Sequence, residues 1–432
     1  MHAETLANIA CEWSFSKKMA FRFFFLLFVL YIFFNPNGFL PYSDVAFEYY
    51  ILPFHQLIPW IGKNILHLST DITVFTNGSG DTTYDFVVVF FTAIIASAGC
   101  IIWTLLDRDR KNYNNLHYWL TAIMRYYLAF TMFSYGFVKI YKLQFPYPSP
   151  DRLLESYGDS SPMGLAWTFI GYSKGYNYFT GFGEVIAGLL LLFKKTTTLG
   201  AMLSLVIAGN IMAINYSFDI PVKLLSTALV IMCLFLLARD IKRLNNFFIL
   251  NKPSGASDIK TPEFRKRWVN ITSVFFKYGL IAFVLYSNIS GAISGMAQYG
   301  DEAKKPPLYG IYNVESFVKN NDSLPPITTD TVRWNKIIVS WPGSVKLKMM
   351  NESYVWYAFE PDTVAKRIIM YSWDDTTKKS SFVYTIPSKD KMIMRGKWNN
   401  DSLIIRCTKY DLSNFLLMNR GFHWVNEYPM NR

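Results

Sequence analysis

Long uncharged apolar runs alternate with short polar stretches over the first 290 or so residues of this 432-residue chain. A helix needs about 20 mainly apolar residues to cross a hydrocarbon core. Seven runs reach that length, give or take a few residues at each end: Phe21–Phe39, Tyr84–Leu106, Leu116–Ile140, Tyr178–Phe193, Leu199–Tyr216, Val222–Ala238 and Val269–Ser290. The fourth and sixth need flanking residues to complete a span. Phe21–Phe39 follows a basic stretch, as a signal peptide would. Asn35-Pro36-Asn37-Gly38 stands where a small-x-small cleavage site would be, so the run reads as a retained anchor.

From about residue 300 the period changes. Thr331–Trp341, Val345–Met350, Tyr354–Phe359, Arg367–Trp373, Ser381–Ile386, Lys391–Trp398 and Ser402–Thr408 are short, alternate apolar with polar, and are separated by Pro, Gly, Asn and Asp. That pattern predicts an antiparallel β-meander, closed as a small barrel or folded as a sandwich. The expected fold class is an α-helical polytopic membrane bundle of about seven spans followed by an antiparallel β-rich domain. Its divisions are an N-terminal segment 1–20, a helical domain 21–298 and a β-domain 299–432.

Composition agrees with membrane insertion. Hydrophobic residues make up 51% and charged residues 17%, against roughly 25% charged in soluble domains. The apolar content excludes a disordered chain, and four cysteines exclude a disulfide scaffold. The net charge of +12 becomes informative once it is divided by side. One set of flanks holds Lys17, Lys18, Arg22, Arg108, Arg110, Lys111, Lys194, Lys195 and the basic run from Arg239 to Arg267. The opposite short loops hold only Lys63, Lys142, Arg152 and Lys174. The positive-inside rule then places the N-terminus in the cytoplasm and everything after about residue 291 outside, which in a bacterium is the periplasmic side of the inner membrane.

Of the outer loops, Ile51–Leu68 predicts a helix lying in the interface, and residues 141–177 a re-entrant or surface-lying segment. Six Asp-Ser or Asp-Thr triplets, at Asp81, Asp322, Asp330, Asp362, Asp375 and Asp401, all fall on the outer side. They fit the O-glycosylation acceptor pattern of one group of Gram-negative bacteria, and equally they are ordinary turn sequences. The β-domain carries 19 Lys/Arg against 14 Asp/Glu, and its aromatic residues are expected in the core, so nucleic acid is not an expected partner.

Motifs for known chemistry are few. Gly171-Tyr172-Ser173-Lys174-Gly175 matches a hydrolase elbow, but that motif acts only on a strand–turn–helix, and here it precedes a helix in a loop. Cys11, Cys100, Cys233 and Cys407 form no C-x-x-C pair, which argues against a dithiol relay. His2, His55, His67, His117 and His423 show no helical pairing, so neither haem, zinc nor any other metal is expected. No nucleotide-binding glycine loop occurs. Lys277 on the seventh run stands where a retinal lysine would, without any supporting pattern. Pairing with a carboxylate or reaching a polar cavity explains it as well.

Polar residues inside the apolar runs remain. Arg125 lies mid-run, and Lys139, fourteen residues on, returns to nearly the same helix face. Glu184 is flanked by Gly181, Gly183 and Gly188, which permit close helix approach. Asn210 and Asn215 follow on the next run, and Asp219 and Lys223 cluster at its outer end. Unpaired burial of these groups is costly, so they are expected to meet, with Glu184 pairing Arg125 or Lys139. Two readings stand side by side: an ion pair that only fixes packing, or an outward-facing polar pocket for a quinone, a lipid headgroup or a proton. Lys139 and Lys223 are near enough to the outer ends to snorkel.

The order of these residues resembles the DoxX/DoxD superfamily of membrane proteins. Arg125, Gly136-Phe137-Val138-Lys139 and Gly183-Glu184 match that family's four-helix core, at about residues 116–244. Gln144-Phe145-Pro146, Gly158-Asp159-Ser160-Ser161-Pro162-Met163-Gly164, Trp167-Thr168-Phe169 and Gly78-Ser79-Gly80-Asp81-Thr82-Thr83 resemble a larger bacterial subgroup. The resemblance covers about residues 20–250. It implies a thiosulfate:quinone oxidoreductase subunit or a partner of redox-defence enzymes. The superfamily also takes in relatives of vitamin K-dependent carboxylase, whose reaction it does not transfer to this chain. The added seventh span and the outer β-domain depart from the family.

The expected function is a redox-associated membrane component with quinone as candidate cofactor, its ligand-binding set being Arg125, Lys139, Glu184, Asn210 and Lys223. The alternative is a non-enzymatic envelope-assembly or anchoring protein whose β-domain binds a partner protein.

Overall fold

The structure is a computed structural model that describes residues 12–74, 80–255 and 266–431. His2, Cys11, Gly78, Ser79 and part of the basic run between Arg239 and Arg267 lie outside the described residues. The chain divides into two compact units: residues up to Phe145 with Pro162–Met296, and Pro146–Ser161 with Ala297 onward.

The helices are α1 (Phe15–Phe34), α2 (Ser43–Tyr50), α3 (Leu52–Asn64), α4 (Thr83–Leu106), α5 (Asn114–Ile140), α6 (Pro150–Leu154), α7 (Pro162–Tyr172), α8 (Lys174–Leu192), α9 (Thr197–Ser217), α10 (Lys223–Ala238), α11 (Ile241–Phe248), α12 (Arg267–Tyr299) and α13 (Leu416–Asn419). Each of the seven apolar runs is helical over most of its length, the first stopping at Phe34 rather than Phe39. Three described helices are long and apolar enough to cross a membrane: α4, α9 with the turn before it (Lys194–Ser217), and α12. The pair α10 and α11, bent by 81°, makes a fourth if it is one span. The remaining three carry polar side chains that lower their apolarity. Lys17, Lys18 and Arg22 stand on α1, Arg125 and Lys139 on α5, and Asn177 and Glu184 on the 19-residue α8.

Burial explains several of these. Arg22 is fully buried and is caged at the α1–α4 crossing. Its guanidinium donates to the Tyr113 hydroxyl (2.7 and 2.9 Å), to Thr104 Oγ1 (2.9 Å) and to the Asp107 carbonyl (2.8 Å). The core runs along α5 through Leu120, Met124, Leu128 and Phe133, against Leu191, Ala201 and Met232. The expected interfacial helix is α3, with Ile58 and Ile61 buried and Leu52 and Trp60 exposed.

At Asp81-Thr82-Thr83 the turn chemistry is fully used. Thr82 N-caps α4 in a reciprocal capping box with Asp85. The Asp81 carboxylate accepts the first N–H groups of α10, from Lys223 (2.6 Å) and Leu224 (3.0 Å). A carboxylate at a helix N-terminus meets both the orphan donors and the dipole.

Residues 146–161 fall in the second unit, not in the helical domain to which the sequence assigned them. The segment has too little apolar surface to insert, and its backbone finds partners elsewhere. The Tyr147 N–H donates to Asp301 (2.7 Å) and the Asp151 N–H to Ser340 Oγ (3.2 Å).

The second unit is a closed antiparallel barrel. Its strands are β1 (Gly310–Lys319), β2 (Asp322–Ser323), β3 (Trp334–Val339), β4 (Ser344–Met349), β5 (Tyr354–Asp362), β6 (Arg367–Tyr371), β7 (Ser380–Ser388), β8 (Lys391–Trp398) and β9 (Asp401–Tyr410). Each of β3 to β9 pairs with its neighbour in sequence, β1 pairs with β3, and β1 also pairs with β9, so eight strands close the ring. The two residues of β2 extend β1. Alternate positions face inward, among them Leu347, Phe359, Ile368, Phe382, Met394 and Ile405. Trp334 meets Trp398 edge-on at 5.1 Å.

One charged group stands in this core. Arg333 is buried, and its guanidinium donates to the carbonyls of Leu324 (3.1 Å), Trp334 (3.3 Å), Val314 (3.3 Å) and Glu315 (3.4 Å). Asp330, Asp362 and Asp375 accept backbone N–H groups two residues ahead, at 2.7, 2.8 and 3.1 Å. These three triplets are therefore built as Asx-turns.

Candidate functional site

The site begins with glycines. At Gly136 on α5 a Cβ would stand 2.9 Å from the Gly181 carbonyl oxygen, and at Gly181 on α8 one would stand 2.8 Å from the Gly136 oxygen. Two turns further along α8, a Cβ at Gly188 would meet the Ala129 oxygen at 2.9 Å. Backbone rests on backbone, a contact only small residues allow. Three residues beyond Gly136 comes Lys139, and three beyond Gly181 comes Glu184. Residues three apart share a helix face, so the glycine crossing delivers these two side chains to each other. They form an ion pair with side chains 8% and 2% exposed.

Lys139 takes one carboxylate oxygen of Glu184. The other, Oε2, is buried without a hydrogen-bond partner. Glu184 also lines a cavity of about 490 Å³ bounded by α5, α7, α8, α9 and α10, a volume usual for small-molecule sites. Thr131 Oγ1 and Gln144 Oε1, on the same wall, are also buried and unpartnered. Aromatic and branched side chains complete the lining, including Phe145, Trp167, Phe179, Ile207 and Ile211. Tyr135 joins the polar edge, donating its hydroxyl to Asn37 Oδ1 (3.3 Å). Buried polar atoms normally have partners. Here the three residues line one largely apolar chamber, an arrangement that can hold the polar head of an amphiphile beside Glu184.

Of the five residues expected to share a pocket, the structure brings three together. Lys139, Glu184 and Asn210 line the cavity, with Asn210 exposed on its wall. Arg125 does not. It lies fourteen residues from Lys139 on one helix, a rise of about 21 Å, and its Nε donates to the Leu191 carbonyl at the far end of α8 (3.0 Å). There it satisfies a helix C-terminal oxygen, so the choice of partner for Glu184 falls to Lys139. Lys223 does not line the cavity either. Its ammonium pairs with Asp219 one turn earlier (2.8 Å), while its neighbours Val222, Leu225 and Ser226 form the wall. Asn215 is engaged by the Val222 carbonyl and Ser226 Oγ (3.3 and 3.1 Å).

Sequence reading passed over Thr131, Gln144 and Lys142. A threonine inside a helix ordinarily bonds back to the preceding turn, and nothing in the sequence marks Thr131 as an exception. Lys142, counted as a loop cation, is buried and donates to the Gly171 carbonyl (2.8 Å). The hydrolase-like motif has no catalytic context. Ser173 is the N-cap of α8, its Oγ accepting the Tyr176 N–H (3.1 Å). Lys277 sits over the Phe193 and Tyr278 rings at 5.4 and 5.6 Å, away from the cavity. Among the described residues no cluster of three His, Cys, Asp or Glu could hold a metal ion.

No family model matches the chain, and no solved structure does. The Bacillus subtilis (strain 168) uncharacterized protein YwoB is 43% identical over 129 residues, which cover 30% of this chain and 82% of that protein. At that identity and coverage, the chain belongs to the YwoB family.

Proposed function

We propose that this YwoB-family chain is an integral membrane protein with a DoxX-like four-helix core, and that its cavity binds the polar head of a quinone or a lipid as part of a redox-associated system. In this reading the chain crosses a bacterial inner membrane seven times, N-terminus inside, and carries the barrel in the periplasm. The three helices of sufficient length and apolarity support membrane insertion. The distribution of Lys and Arg supports the orientation.

The observation that carries the binding reading is the half-used carboxylate. Glu184 gives one oxygen to Lys139, its other oxygen is left without a partner, and the residue lines the cavity. Buried polar atoms ordinarily have partners, so the spare oxygen beside a cavity favours a ligand over packing alone. A ligand hydroxyl or a protonated ring oxygen completes the set, and the apolar wall takes its tail. Glu184 would hold Lys139 in place and exchange a proton with the bound head.

The test is mass spectrometry of small molecules extracted from purified full-length protein, wild type against Glu184→Gln at matched yield. A quinone or one lipid species near one per chain in wild type, lost in the variant while thermal stability is kept, is the expected result. Bulk phospholipid alone in both samples would sink the reading.

A second reading rests on the chain's last residues. Phe422, Trp424, Val425 and Tyr428 are 73–91% exposed, aromatic surface of the kind found at protein interfaces. An assembly or anchoring role through a partner protein predicts that deleting residues 421–432 abolishes co-purification of that partner and leaves the cavity's ligand in place.

A further inference from the structure

A second cavity, of about 430 Å³, lies wholly within the barrel unit. It opens at the end of the barrel where β1 begins, β7 turns into β8 and β9 finishes. Lys305 comes from the segment before β1, Lys389 and Lys391 from the β7–β8 turn, and Lys409 from β9. Asp390 is the single acidic residue in the lining, so the site carries three more positive than negative side chains.

None of the four ammonium groups takes part in an ion pair among the described residues. Lys305 donates only to the Asp301 carbonyl oxygen (3.0 Å). Hydrogen bonds from Ser413, and behind them the charge of Lys389, hold the Asp411 carboxyl below its usual range. Elsewhere on the barrel, lysines do find carboxylates: Lys319 with Asp401, Lys348 with Glu352 and Lys378 with Asp375.

The backbone makes room for this gathering. Gly310 has φ +132°, and a Cβ there would stand 2.9 Å from Lys409 Cε. A larger residue would push the lysine stem out of the cavity. Lys409 Nζ instead rests 5.9 Å from the centre of the Tyr312 ring, a residue only 6% exposed. Burial pushes the Tyr312 hydroxyl up to about 12, so it stays a neutral donor at physiological pH. Leu308, Ile386 and Met392 add an apolar flank.

We propose that this lysine cavity binds a phosphate-bearing organic ligand, its phosphate among Lys389, Lys391 and Lys409 and its carbon skeleton against Leu308 and Met392. Lysine presents a compact charge with three rotatable donors and binds phosphate as a point charge. The lining contains no arginine. The volume exceeds what inorganic phosphate would fill, which calls for an ester. The same chemistry is offered by a soluble phosphomonoester and by a phospholipid headgroup. The proposal is independent of the cavity around Glu184.

Lysine acetylation footprinting by mass spectrometry tests it on the full-length protein in phosphatidylcholine nanodiscs. The probes are glycerol 1-phosphate in solution, up to about 10 mM so as to reveal even a millimolar site, and phosphatidylglycerol added to the discs. Acetylation at Lys389, Lys391 and Lys409 is expected to slow about tenfold at saturation, as for a site about nine-tenths occupied. Lys378, 79% exposed on another turn, serves as the control. Protection by glycerol 1-phosphate identifies a soluble ligand, and protection by phosphatidylglycerol alone a lipid headgroup. In Lys389→Gln/Lys409→Gln, surface changes that leave the barrel folded, protection of Lys391 is expected to vanish. No protection by either probe, equal slowing at Lys378, or protection of Lys391 that persists in the double variant would overturn the proposal.

Discussion

The two units handle buried charge in opposite ways. In the barrel, Arg333 is surrounded by carbonyl oxygens from three places in the chain, and the core around it is filled. In the helical unit, Glu184 and Lys139 are buried as deeply, yet one carboxylate oxygen and the side-chain oxygens of Thr131 and Gln144 have no partner, and all four residues line a cavity. A satisfied buried ion specifies a structure, whereas a partly satisfied one beside a cavity leaves interaction energy available to a ligand. The contrast separates a scaffold from a site within one chain.

The largest effect is expected from halving the ion pair. Lys139→Met leaves Glu184 buried and uncompensated, at a cost of about 3–5 kcal/mol, while Lys139→Met/Glu184→Leu is expected near neutral for stability yet unable to retain ligand. Denaturation of both variants beside ligand extraction checks this, and equal destabilisation by the two would break the contrast. Arg333→Met strands several carbonyls at about 1–3 kcal/mol each, so barrel circular dichroism should melt earlier while ligand content in the helical unit is unchanged. Gly181→Leu overpacks the α5–α8 crossing by about 1–3 kcal/mol. It should also cost ligand, because the crossing is what sets Lys139 against Glu184.

Smaller effects mark the limits of the site. Asp81→Ala removes the cap of α10 and should cost about 1 kcal/mol in thermal stability. Lys223→Gln should leave both the melting temperature and ligand occupancy unchanged. Loss of ligand in that last variant would return Lys223 to the site from which the geometry removes it.

The same contrast explains what the sequence discloses. Strands β3 to β9 were readable within a few residues because a barrel with a filled interior enforces strict alternation. β1 was missed. Its register shifts between Val314 and Ser316, so two stretches of opposite phase blur each other. In the helical unit, Lys139 and Glu184 were conspicuous as charges in apolar runs, and the glycines before them announced the close approach. Arg125 was conspicuous for the same reason and misled, because a shared face says nothing of distance along the axis. Thr131 was invisible, and Gln144 stood out only as part of a family motif, with no site role attached to it. Whether a side-chain oxygen lacks a partner depends on what surrounds it in three dimensions, and no spacing rule encodes that. The same holds for the lysine cavity, whose members come from positions 305 to 409 and look like solvated surface charges one at a time.

Closure of the barrel also has a consequence for synthesis. Ile311 pairs with Tyr410, so the first long strand waits for the last before the ring can form. Long loops close slowly and non-local pairings dominate the folding rate of such topologies. Until residues 401–410 have been made, β1 and β8 each expose an unpaired edge able to capture another extended chain. A stop codon after Asp411 should therefore still give a closed, folded barrel. One placed before Asp401 should give a sticky open sheet, and the boundary between the two outcomes should fall within β9.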